Sequence, residues 1–215
     1  MTRLLFLPLL ILFTLGTLLT VGASLVAGRV FHEPTPIEIE FGPDAQSETC
    51  SIPCWRGIVP GQTFRSSAHT ILTDNGYSLW SSTARAQVYH HEDASRCEVA
   101  LHTTNEERLD GEIDGRVYEI RLLSCSNTIL GDVMLVLQQP DVTSTSGLLI
   151  SFRDGIAHVY TRMRICDSNR VTPFIRVDAV VLSERMNAVM DSGQQWRGFV
   201  TYNELAAECG NRRVG

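Results

Sequence analysis

From Leu4 to Val26 the chain runs 23 residues without a charge, in the order LLFLPLLILFTLGTLLTVGASLV. A stretch of that length and apolarity can span a bilayer, whereas the core of a cleavable signal peptide is usually shorter, about 7–15 residues. The length therefore favours an uncleaved membrane anchor over residues 1–27. Val21-Gly22-Ala23 is nevertheless a serviceable cleavage site, which keeps a removable signal sequence as the alternative. Arg3 precedes the run, and five acids (Glu33, Glu38, Glu40, Asp44, Glu48) against Arg29 alone occupy residues 28–49. This asymmetry predicts a single-pass protein whose C-terminal body lies outside the cytoplasm, or a secreted one if the leader is removed.

Cysteine usage agrees with export. All six cysteines (Cys50, Cys54, Cys97, Cys125, Cys166, Cys209) follow the apolar run, and an even count in an exported chain reads as disulfides. None lies directly behind the run, so lipid modification there is not expected. Beyond the anchor, 17 arginines oppose 24 acidic residues, a net charge of −7, which argues against nucleic acid as a partner.

Residues 28–49 hold three prolines and the five acids with little periodicity, and they read as an extended stalk. The folded part is predicted to begin near Cys50. Phe64, Ala68, Ile71 and Leu72 share one helical face, with Thr63 as the N-cap and Asn75-Gly76 as the stop. Sixty-five residues later, Thr128 precedes Ile129, Val133, Val136 and Leu137 at the same spacings. Strand-like segments follow each helix: 84–90, 97–104 and 116–124 after the first, 148–152, 156–163 and 172–183 after the second. The sequence thus predicts an α+β fold of two tandem units, each a short helix followed by an antiparallel sheet, over residues 50–126 and 127–215. A short helix is expected over 183–191, and a strand or packed loop around QQWRGFVTY.

One hairpin carries its own register. Asp154-Gly155 favours a two-residue type I′ turn, which sets Phe152 against Ala157, Ser151 against His158 and Ile150 against Val159. The apolar pairs then fall on one face and Ser151, Arg153 and His158 on the other, so these three are the expected contact surface.

The segment CSIPCWRGIVPGQT, residues 50–63, poses the main chemical question. A thiol switch needs Cys-x-x-Cys at a helix N-terminus, and here the spacing is one residue longer and the helix starts later. A metal site needs more soft ligands than lie nearby. A structural staple is the favoured reading, with Cys50 and Cys54 bridged to each other or to later strands. A hairpin near Asp110-Gly111 would bring Cys97 opposite Cys125, but face parity opposes the pairing unless a bulge shifts it by one, so connectivity stays open.

His90-His91-Glu92, with His102 across a hairpin, is the one cluster suited to a metal-dependent hydrolase. Adjacent strand residues point to opposite faces, so His90 and His91 cannot share a metal without a break in the strand. Asp110, Glu112 and Asp114 suit turns better than a calcium loop. No nucleophile elbow, zinc-protease, phosphate-loop or dinucleotide motif occurs, and no catalytic residue, metal or cofactor is expected.

At GIVPGQTFRSSAHTIL and again at TILGDVMLVLQQPD the chain resembles the BamE/SmpA-like modules of bacterial envelope proteins, in an arrangement similar to the tandem beta-lactamase inhibitory proteins. CSIPCWRGIVPGQT is similar to a block found in uncharacterised exported bacterial proteins. The resemblance implies a helix-plus-sheet fold and a binding or scaffolding role toward an envelope protein, or inhibition of an extracellular enzyme. The lipid-modified cysteine of BamE has no counterpart here, so a role in outer-membrane assembly does not carry over.

Overall fold

A computed structural model describes residues 13–20, 34–42, 50–104, 115–125, 127–143, 149–153, 155–161, 171–184, 194–196 and 198–199. Residues 13–20, within the apolar run, are helical (α1). The rest of the run lies outside the described residues, among which no helix is long and apolar enough to cross a membrane.

From Thr35 onward the chain is one compact α+β unit. Its nine described strands form a single antiparallel sheet: β1 (Tyr77–Ser82), β2 (Ala86–His91), β3 (Glu98–Thr103), β4 (Val117–Leu123), β5 (Val142–Thr143), β6 (Leu149–Phe152), β7 (Ala157–Thr161), β8 (Val177–Ser183) and β9 (Gln194–Gln195). Their order is β1-β2-β3-β4-β8-β7-β6-β5-β9, so two meanders join edge to edge through β4 and β8. Strands β2, β3, β4, β6, β7 and β8 fall on the segments that the sequence marks out. β1 and β5 were not foreseen, because Ser-Leu-Trp-Ser-Ser lacks alternation and β5 is two residues long.

Helices α3 (Arg65–Asp74) and α4 (Leu130–Leu137) cover one face. Ala68 and Leu72 of α3 and Leu130, Val133 and Leu137 of α4 pack onto Val99, Leu101, Ile120, Leu122, Val159, Val180 and Leu182. The two helix entrances share their bonding: Val117 N donates to Thr63 O at 2.9 Å, and Val177 N donates to Thr128 O at 3.1 Å. Bridges Phe64↔Arg116 and Ile129↔Arg176 lie next to them, and each meander carries a bulge, at His102/Thr103 and at Tyr160/Thr161.

Neither threonine caps its helix. Phe64 and Ile129 take the N-cap positions; Thr63 Oγ1 instead accepts from Val59 N at 2.8 Å, and Asp132 Oδ2 accepts from Ile129 N at 3.0 Å. Asn75 and Gly76 do end α3 as expected, with Gly76 at φ 83°.

The expected stalk needs correction, because α2 (Pro36–Glu40) lies within it. Thr35 N donates to Glu38 Oε2 at 2.8 Å and Glu38 N to Thr35 Oγ1 at 3.4 Å, a capping box with proline in the first turn. Ile37 and Phe41 enter the core, and α2 packs against α4. Burying those two side chains contributes about 1.5–3 kcal/mol each, enough to hold a five-residue helix that would not persist alone.

Candidate functional site

The opening cysteine segment is a staple that grips α2. Cys50 and Cys54 are bonded, with Cα atoms 5.1 Å apart. Trp55 and Ile58 then exchange both backbone hydrogen bonds around Arg56 and Gly57, whose φ angles of 51° and 85° define a type I′ turn. That turn aims Arg56 at Glu40: Nη2 and Nε donate to Oε2 at 3.2 and 3.3 Å. Tyr77 Oη donates to Glu40 Oε1 at 2.8 Å, Cys97 N does so at 3.4 Å, and Trp55 Nε1 donates to the Glu40 carbonyl at 3.0 Å. Burial, then the Glu40 charge, raises the Tyr77 pKa well above its ordinary value. Glu40 was legible only as an acid of the stalk, although Thr35-x-x-Glu38 with Ile37 and Phe41 is a helix signature in plain view.

Cys97 and Cys125 are also bonded, 28 residues apart. Glu98 faces Leu123, so simple extension would set Cys97 against Ser124. Ser124 adopts φ 52°, a left-handed turn that advances the chain by one residue and delivers Cys125 instead. Cys166 and Cys209 lie outside the described residues, as do Asp110, Glu112 and Asp114 and the tail segments 185–191 and 203–209.

The 149–161 hairpin has the predicted register, with Ile150↔Val159, Ser151↔His158 and Phe152↔Ala157. Its expected contact surface does not exist as such. Ser151 is 1% exposed and His158 0%, and their row continues into buried Val181; only Arg153, at the turn, is exposed. Alternation reports the pleat of a strand, and here both faces of β6, β7 and β8 are covered. Burial lowers the His158 pKa, with a Gly155 backbone group and the Glu119 charge acting the other way.

The sheet face opposite the helices is open over β1–β4. Trp80 stands at the β1 bulge, 74% exposed, with one ring face stacked on His90 at 5.0 Å between centroids and 9° between planes. His90 Nε2 lies 3.2 Å from Glu98 Oε2, which fixes the ring beneath the indole. Further along, Arg121 Nε donates to Glu119 Oε1, His102 Nε2 lies 3.9 Å from the same oxygen, and half-exposed Tyr118 tilts against the His102 ring. The His102 pKa is lowered, first by burial and then by Arg121, with Glu119 opposing.

His90 and His91 do point to opposite faces: His91 packs on Tyr77 on the helix side, and its Nδ1 accepts from Asp93 N at 2.9 Å. Glu92 is exposed beyond the strand end. Among the described residues no three His, Cys, Asp or Glu side chains converge to hold a metal ion. What the open face offers is contact area: aromatic rings and Arg121, set against the carboxylates of Glu98 and Glu119 on a sheet. These are the residue types enriched at the centres of protein interfaces.

Compared with known proteins, the chain matches no family model, no curated protein and no solved structure.

Proposed function

We propose that the protein is an extracytoplasmic binding module, held at the membrane by its N-terminal apolar segment, that takes an envelope protein partner on the outer face of β1–β4. The observation that carries this reading is Trp80, a large apolar side chain left in water yet fixed in orientation by His90 and Glu98. An indole already packed against a neighbouring ring loses less conformational freedom on binding than an unsupported one, which favours such residues as anchors.

The module consists of two tandem units, each a helix followed by a meander, in the manner of BamE/SmpA-like domains arranged as in the beta-lactamase inhibitory proteins. Support comes from the matched helix entrances at Thr63/Val117 and Thr128/Val177, the matched bridges and the matched bulges. If the partner is an enzyme, the module acts as its inhibitor; if not, as a scaffold.

The test is photo-crosslinking of the full chain in its native membrane, with a photoreactive residue replacing Trp80 and, as a control, Leu135, which is exposed on α4. A discrete protein adduct from position 80 and none from 135 supports the reading. Adducts from neither position, or equally from both, overturn it.

A further inference from the structure

The two helices that cover the sheet differ in what they show to water. α3 exposes Ser66, Ser67, Thr70, Thr73 and Asp74, the polar face that a surface helix ordinarily carries. α4, Leu-Gly-Asp-Val-Met-Leu-Val-Leu, has Asp132 as its one charged residue. Leu130, Val133 and Leu137 face the core, and Met134 and Val136 are half-buried at its margin. Leu135, on the side of the helix away from the sheet, is 73% exposed.

A second apolar side chain stands at the same corner. The 171–175 segment crosses the first turn of α4, where Leu130 N donates to Ile175 O and Gly131 N to Pro173 O, both at 2.8 Å. The approach is close: a Cβ on Gly131 would meet the Pro173 carbonyl oxygen at 3.3 Å. Phe174, between those two acceptors, is 76% exposed. Leu135 follows Gly131 by one turn on the same side of the helix, about 6 Å along its axis. Arg176, just past Phe174, is exposed as well, and its side chain takes no hydrogen bond or ion pair from a described residue.

Large apolar side chains grouped in water mark a surface that meets another apolar phase, a protein or a membrane. The position of α2 decides between them. It packs against α4, and the chain ahead of it leads back to the apolar run, with eight residues, 27–34, between Val26 and Thr35. Fully extended, that stretch reaches about 30 Å. On the membrane-anchor reading, on which this inference rests, the corner formed by α2 and α4 is therefore leashed close to a bilayer. A patch too small to hold a free protein on lipid is enough there, because the tether makes its contact with the membrane intramolecular.

We propose that the outer side of α4, with Leu135 and Phe174, lies in the headgroup layer of the membrane that holds the N-terminal segment. The two apolar side chains sink to the edge of the acyl region, and the Arg176 guanidinium pairs with lipid phosphates. The helices then face lipid, and the outer face of β1–β4, on the other side of the sheet, is turned toward the partner.

The test places a photoreactive p-benzoylphenylalanine at position 174 of the full chain, reconstituted in vesicles of phosphatidylcholine and phosphatidylglycerol, with position 80 as the reference. Lipid adducts, read by mass, are expected from 174 and not from 80. Leu135→Glu should lower the yield from 174 roughly tenfold, the effect of losing one buried leucine, and Arg176→Gln about fivefold. Both residues are exposed, so both variants keep the fold. Adducts to a second copy of the chain or within one chain overturn the inference. So do equal lipid adducts from 80 and 174, or yields that ignore both substitutions. Flotation separates this inference from the anchor reading: a chain that floats with the vesicles but gives no lipid adduct at 174 fails here alone, whereas one that does not float overturns both.

Discussion

The Arg56 guanidinium lies 3.2 Å from the Glu40 carboxylate, with the two side chains only 6% and 0% exposed, and the pair joins a helix ahead of the first disulfide to the turn just after it. Removing one member of a buried pair strands the other, at a cost of about 3–5 kcal/mol. Glu40→Gln is expected to lower the unfolding free energy by that order in urea titration, and Arg56→Met likewise. The double variant should lose less than the two single losses added together.

Removing α2 should do comparable damage. A chain beginning at Pro34 is expected to unfold at the midpoint of the full protein. One beginning at Cys50 loses Ile37, Glu40 and Phe41 from the core, and its melting temperature should fall by many degrees. Equal melting temperatures for the two truncations would show that α2 is not part of the stable fold.

These features also show what the sequence made readable. The register of β6 against β7 was readable because turn chemistry and hydrophobic alternation are both local in sequence. The fate of Ser151 and His158 was not local: alternation tells which residues share a face, and burial of that face depends on chain far away in sequence. Glu40 was missed for a related reason, since an acid in an acidic, proline-containing segment is ordinarily solvated, and its place in the core depends on residues distant in sequence, among them Trp55, Arg56, Tyr77, Arg96 and Cys97. The Cys97–Cys125 bond turned on one backbone angle at Ser124, which no residue pattern announces.

Acid should weaken the fold. His158 and His102 both have pKa values held below the ordinary histidine value, burial being the first cause in each. The unfolded chain then binds protons that the folded chain refuses, so stability rises with pH across the histidine range and is lost as pH falls below about 6.5. Urea midpoints measured from pH 8 to pH 5 should decline, and His158→Leu should flatten that decline. At the alkaline end the sign reverses: burial pushes Tyr89 up to about 12, so the unfolded chain gives up its phenolic proton first and stability falls above about pH 10.

The two described disulfides should differ in weight. Cys97–Cys125 closes a loop across 28 residues and Cys50–Cys54 one across 4. Loop-closure entropy assigns about 3.5 kcal/mol to the first and about 2 kcal/mol to the second. Paired alanine replacements followed by denaturant unfolding should show the larger loss for Cys97 and Cys125.

Trp80→Ala is expected to change unfolding free energy by less than about 0.5 kcal/mol, as exposed substitutions usually do, while abolishing capture of the envelope partner. A large stability loss instead would make the indole a structural residue.

Glu40 also decides how a pull on the N-terminal segment would travel. Tension applied ahead of Thr35 reaches α2 first and passes by separate contacts to Tyr77 in β1, to Arg56 in the Trp55–Ile58 turn and to Cys97 at the head of β3. From Cys97 it crosses a covalent bond to the far end of β4. A load applied there is shared by several anchorages in parallel, so it does not fall on a single strand at the edge of the sheet.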